Sequence, residues 1–432
     1  MKVLWVSSRL IGPAASVVTS DYHGTSGGWI QSEYDSFSIE NNEIIHLCGS
    51  RERFAKKYKK VENDKGLVYL VELPKLTNGR RAPKSLVDTI SKIIYDVKPD
   101  IIHLWGTETC IQDAVISANN KIPTVVFIQG LIGVHYRYRG GYITVLDKDY
   151  YSFSSIKQKC LKYFRDLAFK KQIEIEKNII KKSKNIIIDS DFARAYCYSI
   201  DKSVKCFNRH LNPNLLFLKN KWDFSSCEKN TIFTVYGGSP DKGIHQLLKA
   251  IKIVKDEIPN IKVYIPGPFN INESGNLIST KKSSTYEKWM KNFIKTNKIE
   301  NNVCFVGPQS PQNMADYIKK CNVYVNPSCM EVHALSLREA MTIGAPVISS
   351  LCGSVAEFIN YNEEGFIYRY EEYEALALLI KKVLKDSELA NRLGMNARKR
   401  MEKYYIESEN QTLLNIYNKI LGEEHENTIK IY

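Results

Sequence analysis

Glu331 and Glu339 stand eight residues apart in the stretch 321–357. Each carboxylate accepts two hydrogen bonds from neighbouring hydroxyls, so the pair suits a polyhydroxylated ligand such as a sugar. Between them Leu335 and Ser336 open a helical pattern, and the unpaired N–H groups at a helix start suit an anion such as a diphosphate. Earlier in the chain, Lys242 closes the run Gly237-Gly238-Ser239-Pro240-Asp241-Lys242 and precedes Gly243, in front of a second helical pattern. A lysine at a helix N-terminus is disfavoured by the dipole unless an anion meets it. A sugar joined to a nucleoside diphosphate has both the hydroxyls and the charge these groups call for.

Each piece also has a plainer reading. Ser336-Leu337-Arg338-Glu339 spells a capping box, in which Ser336 and Glu339 only satisfy the first amides of their own helix. Glu331 taken alone is a solvated loop charge, and Lys242 a surface lysine. The elements that must position these residues weigh on the other side. A β-branched strand over 322–326, a polar loop, a helix stopped by Gly344 and a second strand over 346–349 form one strand-loop-helix-strand unit. A strand over 231–236 feeds the Lys242 turn, and Ile244, Leu247, Leu248, Ile251 and Val254 follow at helical spacing. In open α/β sheets, ligands bind in such loops at the carboxyl ends of parallel strands.

The stretch resembles the retaining glycosyltransferases of family 4, which have the GT-B fold and whose signature is a glutamate, seven residues and a second glutamate. The likeness includes Asn326-Pro327-Ser328, Glu339-Ala340-Met341 and Gly344-Ala345-Pro346-Val347-Ile348, and it is dense over 231–368. Val332-His333-Ala334 departs from the Gly-Phe-Gly-like run common at that point. The resemblance implies two Rossmann-like domains with parallel sheets facing a central cleft. It implies that Glu331 and Lys242 are the catalytic pair, with Glu331 on the donor-sugar hydroxyls and Lys242 on the diphosphate. Glu339 would hold the ribose, and the amides near Leu335 and Ser336, with Gly238 and Ser239, would complete donor binding. The arginine usual a few positions before that lysine is missing, Gly238 and Ser239 standing nearby.

The first half is read more loosely. After a strand at 3–8, Gly27 and Gly28 lie in a loop before a helical pattern, at the place where the resembled family carries a Gly-Gly loop near donor and acceptor; a paired glycine by itself is usually a turn. Strands are expected at 43–48, 67–73 and 124–128, and a helix over 85–97. His103 falls inside another strand and reads as a satisfied core histidine. Gln129 occupies the spot where many relatives have a histidine close to the sugar. The Tyr- and Gly-rich stretch 131–155 lacks periodicity and reads as a functional loop, with Tyr136 and Arg137 assigned with Gln129 to acceptor or sugar contact. Asp147-Lys148-Asp149 and Asp189-Ser190-Asp191 spell D-x-D, yet no metal is expected in this architecture. The segment 213–226 reads as a link, giving residues 1–215 as an acceptor-side domain and 225–404 as the nucleotide-sugar domain. Resemblance suggests that the tail 405–432 packs back on the first.

A chain of 432 residues exceeds what one core usually supports. No apolar run is long enough to cross a bilayer, and the ten scattered cysteines read as reduced; both point to the cytoplasm. The net charge of +14 concentrates in 51–60 and 157–184. Basic stretches interleaved with apolar residues suit an anionic membrane surface or nucleic acid, or are a solvated face. The resemblance favours the membrane, on its inner face, because many such enzymes use lipid-linked acceptors, and it implies no nucleic-acid partner. The expected activity is sugar transfer with retention to an acceptor hydroxyl, a glycan or lipid-linked one, in surface polysaccharide or other glycoconjugate synthesis. No cofactor is expected besides the nucleotide sugar as substrate. Two alternatives stand beside it: a non-hydrolysing sugar-nucleotide epimerase, and a basic nucleic-acid-binding α/β protein.

Overall fold

The computed structural model describes the chain except for residues 9, 11–12, 19–29, 31–32, 35–36, 38–41, 76–78, 120, 144–149, 151–155, 212, 270, 273, 279–282, 411 and 423–432, and only the backbone of 156–162 and 408–410. The chain divides into two compact units. Residues 1–136, 161–212 and 406–432 make the first, and 137–160 with 213–405 the second. The segment 137–160, which the sequence places with the first half, therefore counts with the second.

Among the described residues the first unit holds a sheet of eight strands: β1 Lys2–Ser7, β2 Glu43–Ser50, β3 Tyr58–Asn63, β4 Gly66–Glu72, β5 Ile101–Trp105, β6 Thr124–Phe127, β7 Asn185–Ile188 and β8 Lys205–Asn208. Their order is β3-β4-β2-β1-β5-β6-β7-β8. Central strands such as β5 and β7 are near-continuous apolar runs, as strands covered on both faces must be. All neighbours pair in parallel except β3 with β4, which is antiparallel.

The basic stretch 51–60 runs into the edge strand β3. Lys59 and Lys60 lie exposed on the sheet edge, where charges discourage pairing with another chain. Arg53 and Lys57, themselves exposed, both pair with the buried Glu72, at 3.0 and 3.5 Å, so part of that positive charge is matched by a carboxylate.

The second unit holds β9 Thr231–Phe233, β10 Lys262–Pro266, β11 Val303–Gly307, β12 Val323–Asn326, β13 Val347–Ser350 and β14 Phe366–Tyr368. All pair in parallel in the order β11-β10-β9-β12-β13-β14. The sequence thus crosses over between β9 and β12, and the loops after these two central strands lie side by side. The segment 213–226 is structured, not a bare link: the indole of Trp222 is buried and donates to the carbonyl of Cys321 at 2.7 Å. Residues 131–155 also depart from an aperiodic loop, because Ile132–Tyr138 is a helix.

His103 is fully buried in the first unit, stacked on Trp105 with ring centroids 4.3 Å apart. Burial pushes its imidazole down to about 3, so the ring is neutral. Its Nδ1 meets the hydroxyl of Tyr417, from the helix Leu413–Gly422, and the same hydroxyl accepts from the indole of Trp5 at 3.1 Å. Removing that hydroxyl orphans buried partners, a loss of about 1–3 kcal/mol. Tyr417→Phe should therefore lower the urea midpoint with little change in the m-value; an unchanged midpoint would show that the hydroxyl adds nothing to stability.

Candidate active site

The loop after β9 runs through Gly238, in the left-handed region, to a short helical turn, Pro240–Lys242, and then to Gly243. A Cβ on Gly243 would stand 1.8 Å from the carbonyl oxygen of Pro327, which opens the loop after β12. Only glycine allows the two backbones to come this close. The amide of Cys329 then donates to the carbonyl of Asp241 at 2.8 Å, fastening the loops together. Beneath them Asn326, Ser328, Ser349 and Ser350 form a buried hydrogen-bonded layer.

This contact sets the two sequence-predicted residues against each other. Lys242 Nζ lies 2.7 Å from Glu331 Oε1, both side chains largely shielded. Burial would lower the ammonium, but the Glu331 carboxylate outweighs it and holds Lys242 above the ordinary lysine range. Glu331 is itself seated by backbone: its carbonyl accepts from the Ser354 amide at 3.1 Å, and a Cβ on Gly353 would fall 1.7 Å from that oxygen. Ser239 donates to the carboxylate of Asp241, so its hydroxyl is engaged within its own turn.

The helix Leu335–Ile343 begins differently from the capping-box reading. Its N-cap is Ala334 in a left-handed conformation, with no side-chain cap. Ser336 Oγ instead accepts from the Tyr324 hydroxyl at 2.8 Å. Among the described residues Glu339 takes part in no hydrogen bond or ion pair, and burial pushes its carboxyl up to about 8. A helix start without a side-chain cap, a carboxyl without a partner and a lysine held by a carboxylate thus sit on neighbouring loops. They offer donors for an anion and acceptors for hydroxyls in one place.

Other sequence-predicted residues fall elsewhere. Gly27 and Gly28, with Asp147 and Asp149, lie outside the described residues. Gln129 follows β6 in the first unit, and its amide nitrogen is buried without a partner among the described residues. Tyr136 and Arg137 are helical; the Tyr136 ring lies 6.3 Å from Phe169, and Arg137 is exposed. Of the second D-x-D, Asp189 meets His210 at 2.7 Å and Asp191 meets Arg194 at 3.0 Å. Among the described residues no cluster of metal-ligating side chains occurs.

One group near Gln129 escaped the sequence reading. Glu108, in the loop after β5, folds its carboxylate over Gly106, where a Cβ would lie 1.9 Å away, and beside Gly130, where a Cβ would lie 3.2 Å away. Burial pushes Glu108 up to about 7; its own amide opposes the rise, the Glu176 carboxylate adds to it, and the amides of Thr107 and Gly130 oppose it further. Glycines on the ends of two adjacent strands were the only signal in the sequence. Glu176, in contrast, is saturated, accepting from Ile132, Gly133, Thr107 and Tyr196.

Two α/β units with parallel sheets of this kind define the GT-B architecture of glycosyltransferases. Residues 219–400, which contain the Lys242, Glu331 and Glu339 loops, match the family described as glycosyl transferases group 1. Among solved structures of that fold, sucrose-phosphate synthase from Thermosynechococcus elongatus superposes with a TM-score of 0.69 at 16% identity, over 98% of each chain. TarM superposes at 0.64 and 13% identity, over 96% of this chain and 98% of TarM. An uncharacterized glycosyltransferase of Haemophilus influenzae is 27% identical over 45% of this chain and 50% of its own. The capsular polysaccharide biosynthesis glycosyltransferase CapM of Staphylococcus aureus is 29% identical over 42% of this chain and 44% of its own. The similarity therefore spans about half the length of these curated relatives.

The raised Glu339 carboxyl carries a stability signature. Its folded value of about 8 lies above the ordinary 4.5, so the unfolded chain releases this proton first, and stability present at low pH is lost as pH rises from about 4.5 through 8. Glu339→Gln should show a melting temperature that gains on the wild type between about pH 5 and pH 8.5. Parallel melting curves for the two proteins would show that no such charge is buried.

Proposed function

We propose that this protein is a retaining glycosyltransferase, moving a sugar from a nucleotide-diphosphate donor to an acceptor hydroxyl. The observation that carries the reading is the Lys242–Glu331 pair on adjoining loops at strand ends, with the helix that starts at Leu335 and bears the partnerless Glu339 following one of them. In this reading the diphosphate is met by Lys242 and by the amides near Leu335 and Ser336, with the backbone at Gly238 and Ser239 nearby. Glu331, released from its lysine, turns to the hydroxyls of the transferred sugar, and Glu339 accepts from the ribose. These groups stabilise the charge that develops on the departing diphosphate. The anomeric carbon–phosphate oxygen bond breaks as the bond to the acceptor oxygen forms on the same face, and the departing phosphate oxygen takes the acceptor proton. The two glycines at 27 and 28 belong to this donor site by resemblance alone. No metal is assigned a step.

The buried amide of Gln129 and the carboxyl of Glu108 are the groups in the first unit suited to an acceptor hydroxyl, with Tyr136 and Arg137 as further contacts. CapM, by its name, acts in capsular polysaccharide biosynthesis, which favours a surface glycan or a lipid-linked one as the acceptor here. Among the described residues no helix is long and apolar enough to cross a membrane. A peripheral site is nonetheless supported by the helix Ile156–Ser183, where Tyr163 and Phe164 are 64% and 65% exposed beside Arg165, Lys170 and Lys171. Aromatic side chains flanked by basic ones suit an anionic lipid surface.

Differential scanning fluorimetry against UDP, GDP and ADP sugars should pick out one nucleotide, and Glu339→Ala should weaken that donor by about tenfold or more, the loss expected for hydrogen bonds to a carboxylate. An unchanged donor dissociation constant would remove Glu339 from the site. Sugar interconversion without an acceptor would favour the epimerase, and salt-steep binding of DNA with no response to nucleotide sugars would favour the nucleic-acid reading. Flotation with phosphatidylglycerol vesicles, but not with phosphatidylcholine, should be lost in a Tyr163→Ser, Phe164→Ser variant; equal flotation of both proteins would refute the lipid contact.

A further inference from the structure

The segment Tyr138 to Ile143 is built into the second unit at an evident conformational cost. Gly140, Gly141 and Tyr142 follow one another with φ of 86°, 57° and 54°. Tyrosine disfavours the left-handed region and holds it only where the surroundings impose it. Those surroundings are specific. The carbonyl of Gly141 accepts from His245 Nε2 at 3.0 Å and from the Tyr370 hydroxyl at 2.7 Å. Nδ1 of His245 is in turn engaged by the Tyr286 hydroxyl at 2.9 Å. With both ring nitrogens committed and the ring neutral, the proton belongs on Nε2. A Cβ on Gly141 would stand 2.2 Å from the carbonyl oxygen of Pro240. Cys329 Sγ approaches the carbonyl of Tyr138 at 3.5 Å, and Ile143 is fully buried in the second unit's core.

These anchors are not scattered. Pro240 and Asp241 immediately precede Lys242, and Cys329 lies two residues before Glu331. The segment is therefore fastened to both loops that hold the ion pair. What it presents outward is the ring of Tyr142, 42% exposed, set edge-to-face against Tyr138 at 6.0 Å and 6.3 Å from Tyr370. A turn needed only for chain reversal would be served by Asn or Gly at this position, without the steric cost of tyrosine. Half-exposed, the ring gains little from burial; an aromatic face carried on a segment fastened to the loops of the hydroxyl-binding carboxylates has a use in holding the apolar face of a sugar ring.

We propose that Tyr142, backed by Tyr138, forms the wall against which the sugar of the bound nucleotide sugar packs, so that this segment sets which sugar is accepted. The proposal rests on the donor-binding reading of the Lys242, Glu331 and Glu339 loops. It assigns Tyr142 to the sugar and not to the diphosphate, and that difference is measurable.

Titration calorimetry of the full chain with UDP, UDP-glucose, UDP-N-acetylglucosamine, GDP and GDP-mannose gives, for each pair, the ratio of affinities between sugar nucleotide and diphosphate. Tyr142→Gly keeps the left-handed backbone and removes the ring; the ratio for the preferred sugar should fall about tenfold, the scale of one aromatic contact. Tyr142→Asn, also tolerant of this conformation, should behave alike, and Tyr370→Phe, which removes one anchor of Gly141, should shift the ratio in the same direction by less. A wild type that binds a sugar nucleotide but whose ratio is unmoved in the two Tyr142 variants overturns the wall alone. A wild type that binds none of the five ligands, nor ADP or ADP-glucose, overturns the donor reading, and the wall with it.

Discussion

Backbone meets backbone where Gly243 passes under the carbonyl of Pro327, and the second unit's chemistry depends on that approach. A Cβ at Gly243 would stand 1.8 Å from the Pro327 oxygen, so a side chain there would force the loops after β9 and β12 apart by roughly an ångström or more. With them would go the Cys329–Asp241 link and the meeting of Lys242 with Glu331. The crossover that makes β9 and β12 neighbours brings residues 89 apart in sequence to hydrogen-bonding distance. The fold's contribution to the site is thus topological first and electrostatic second.

The electrostatics follow from what the loops exclude. Lys242 and Glu331 share a poorly solvated position, where the Glu331 carboxylate holds the Lys242 ammonium charged against burial. Glu339, one helical turn into its element, lacks such a partner and holds its proton near neutral pH. Two carboxylates eight residues apart thus sit in different surroundings, one matched by a lysine and one buried with no partner among the described residues. Ala334 contributes by its backbone: its left-handed turn starts the helix with no side chain folded over the first amides.

Much of this was legible in the residues. The strand over 124–128 and the helix stop at Gly344 follow from a β-branched run and from glycine's freedom at a C-cap, and both stand where such local rules put them. The pairing of Lys242 with Glu331 was legible only through the resemblance, since nothing local encodes a contact across 89 residues. Ser336 misled because a capping box and an ordinary helix start share a spelling; the choice was made by Tyr324, twelve residues away, whose hydroxyl claims the serine. The edge strand β3 was hidden by its lysines, which are there because it is an edge. The docking of Gly141 on Pro240 was unreadable for a different reason: a loop that owes its shape to His245 and Tyr370 leaves no periodic trace of its own.

The bond between Trp5 and Tyr417 joins positions 412 apart in the chain. During synthesis β1 emerges before the second unit, but the hydroxyl that meets its tryptophan and the neighbouring histidine comes off the ribosome only after the whole of that unit. The second unit, apart from the inserted segment 137–160, is continuous in sequence and can close on itself as it emerges. The unit whose strands come first is therefore the one completed last, and until Tyr417 arrives the Trp5 indole and the His103 ring lack this partner.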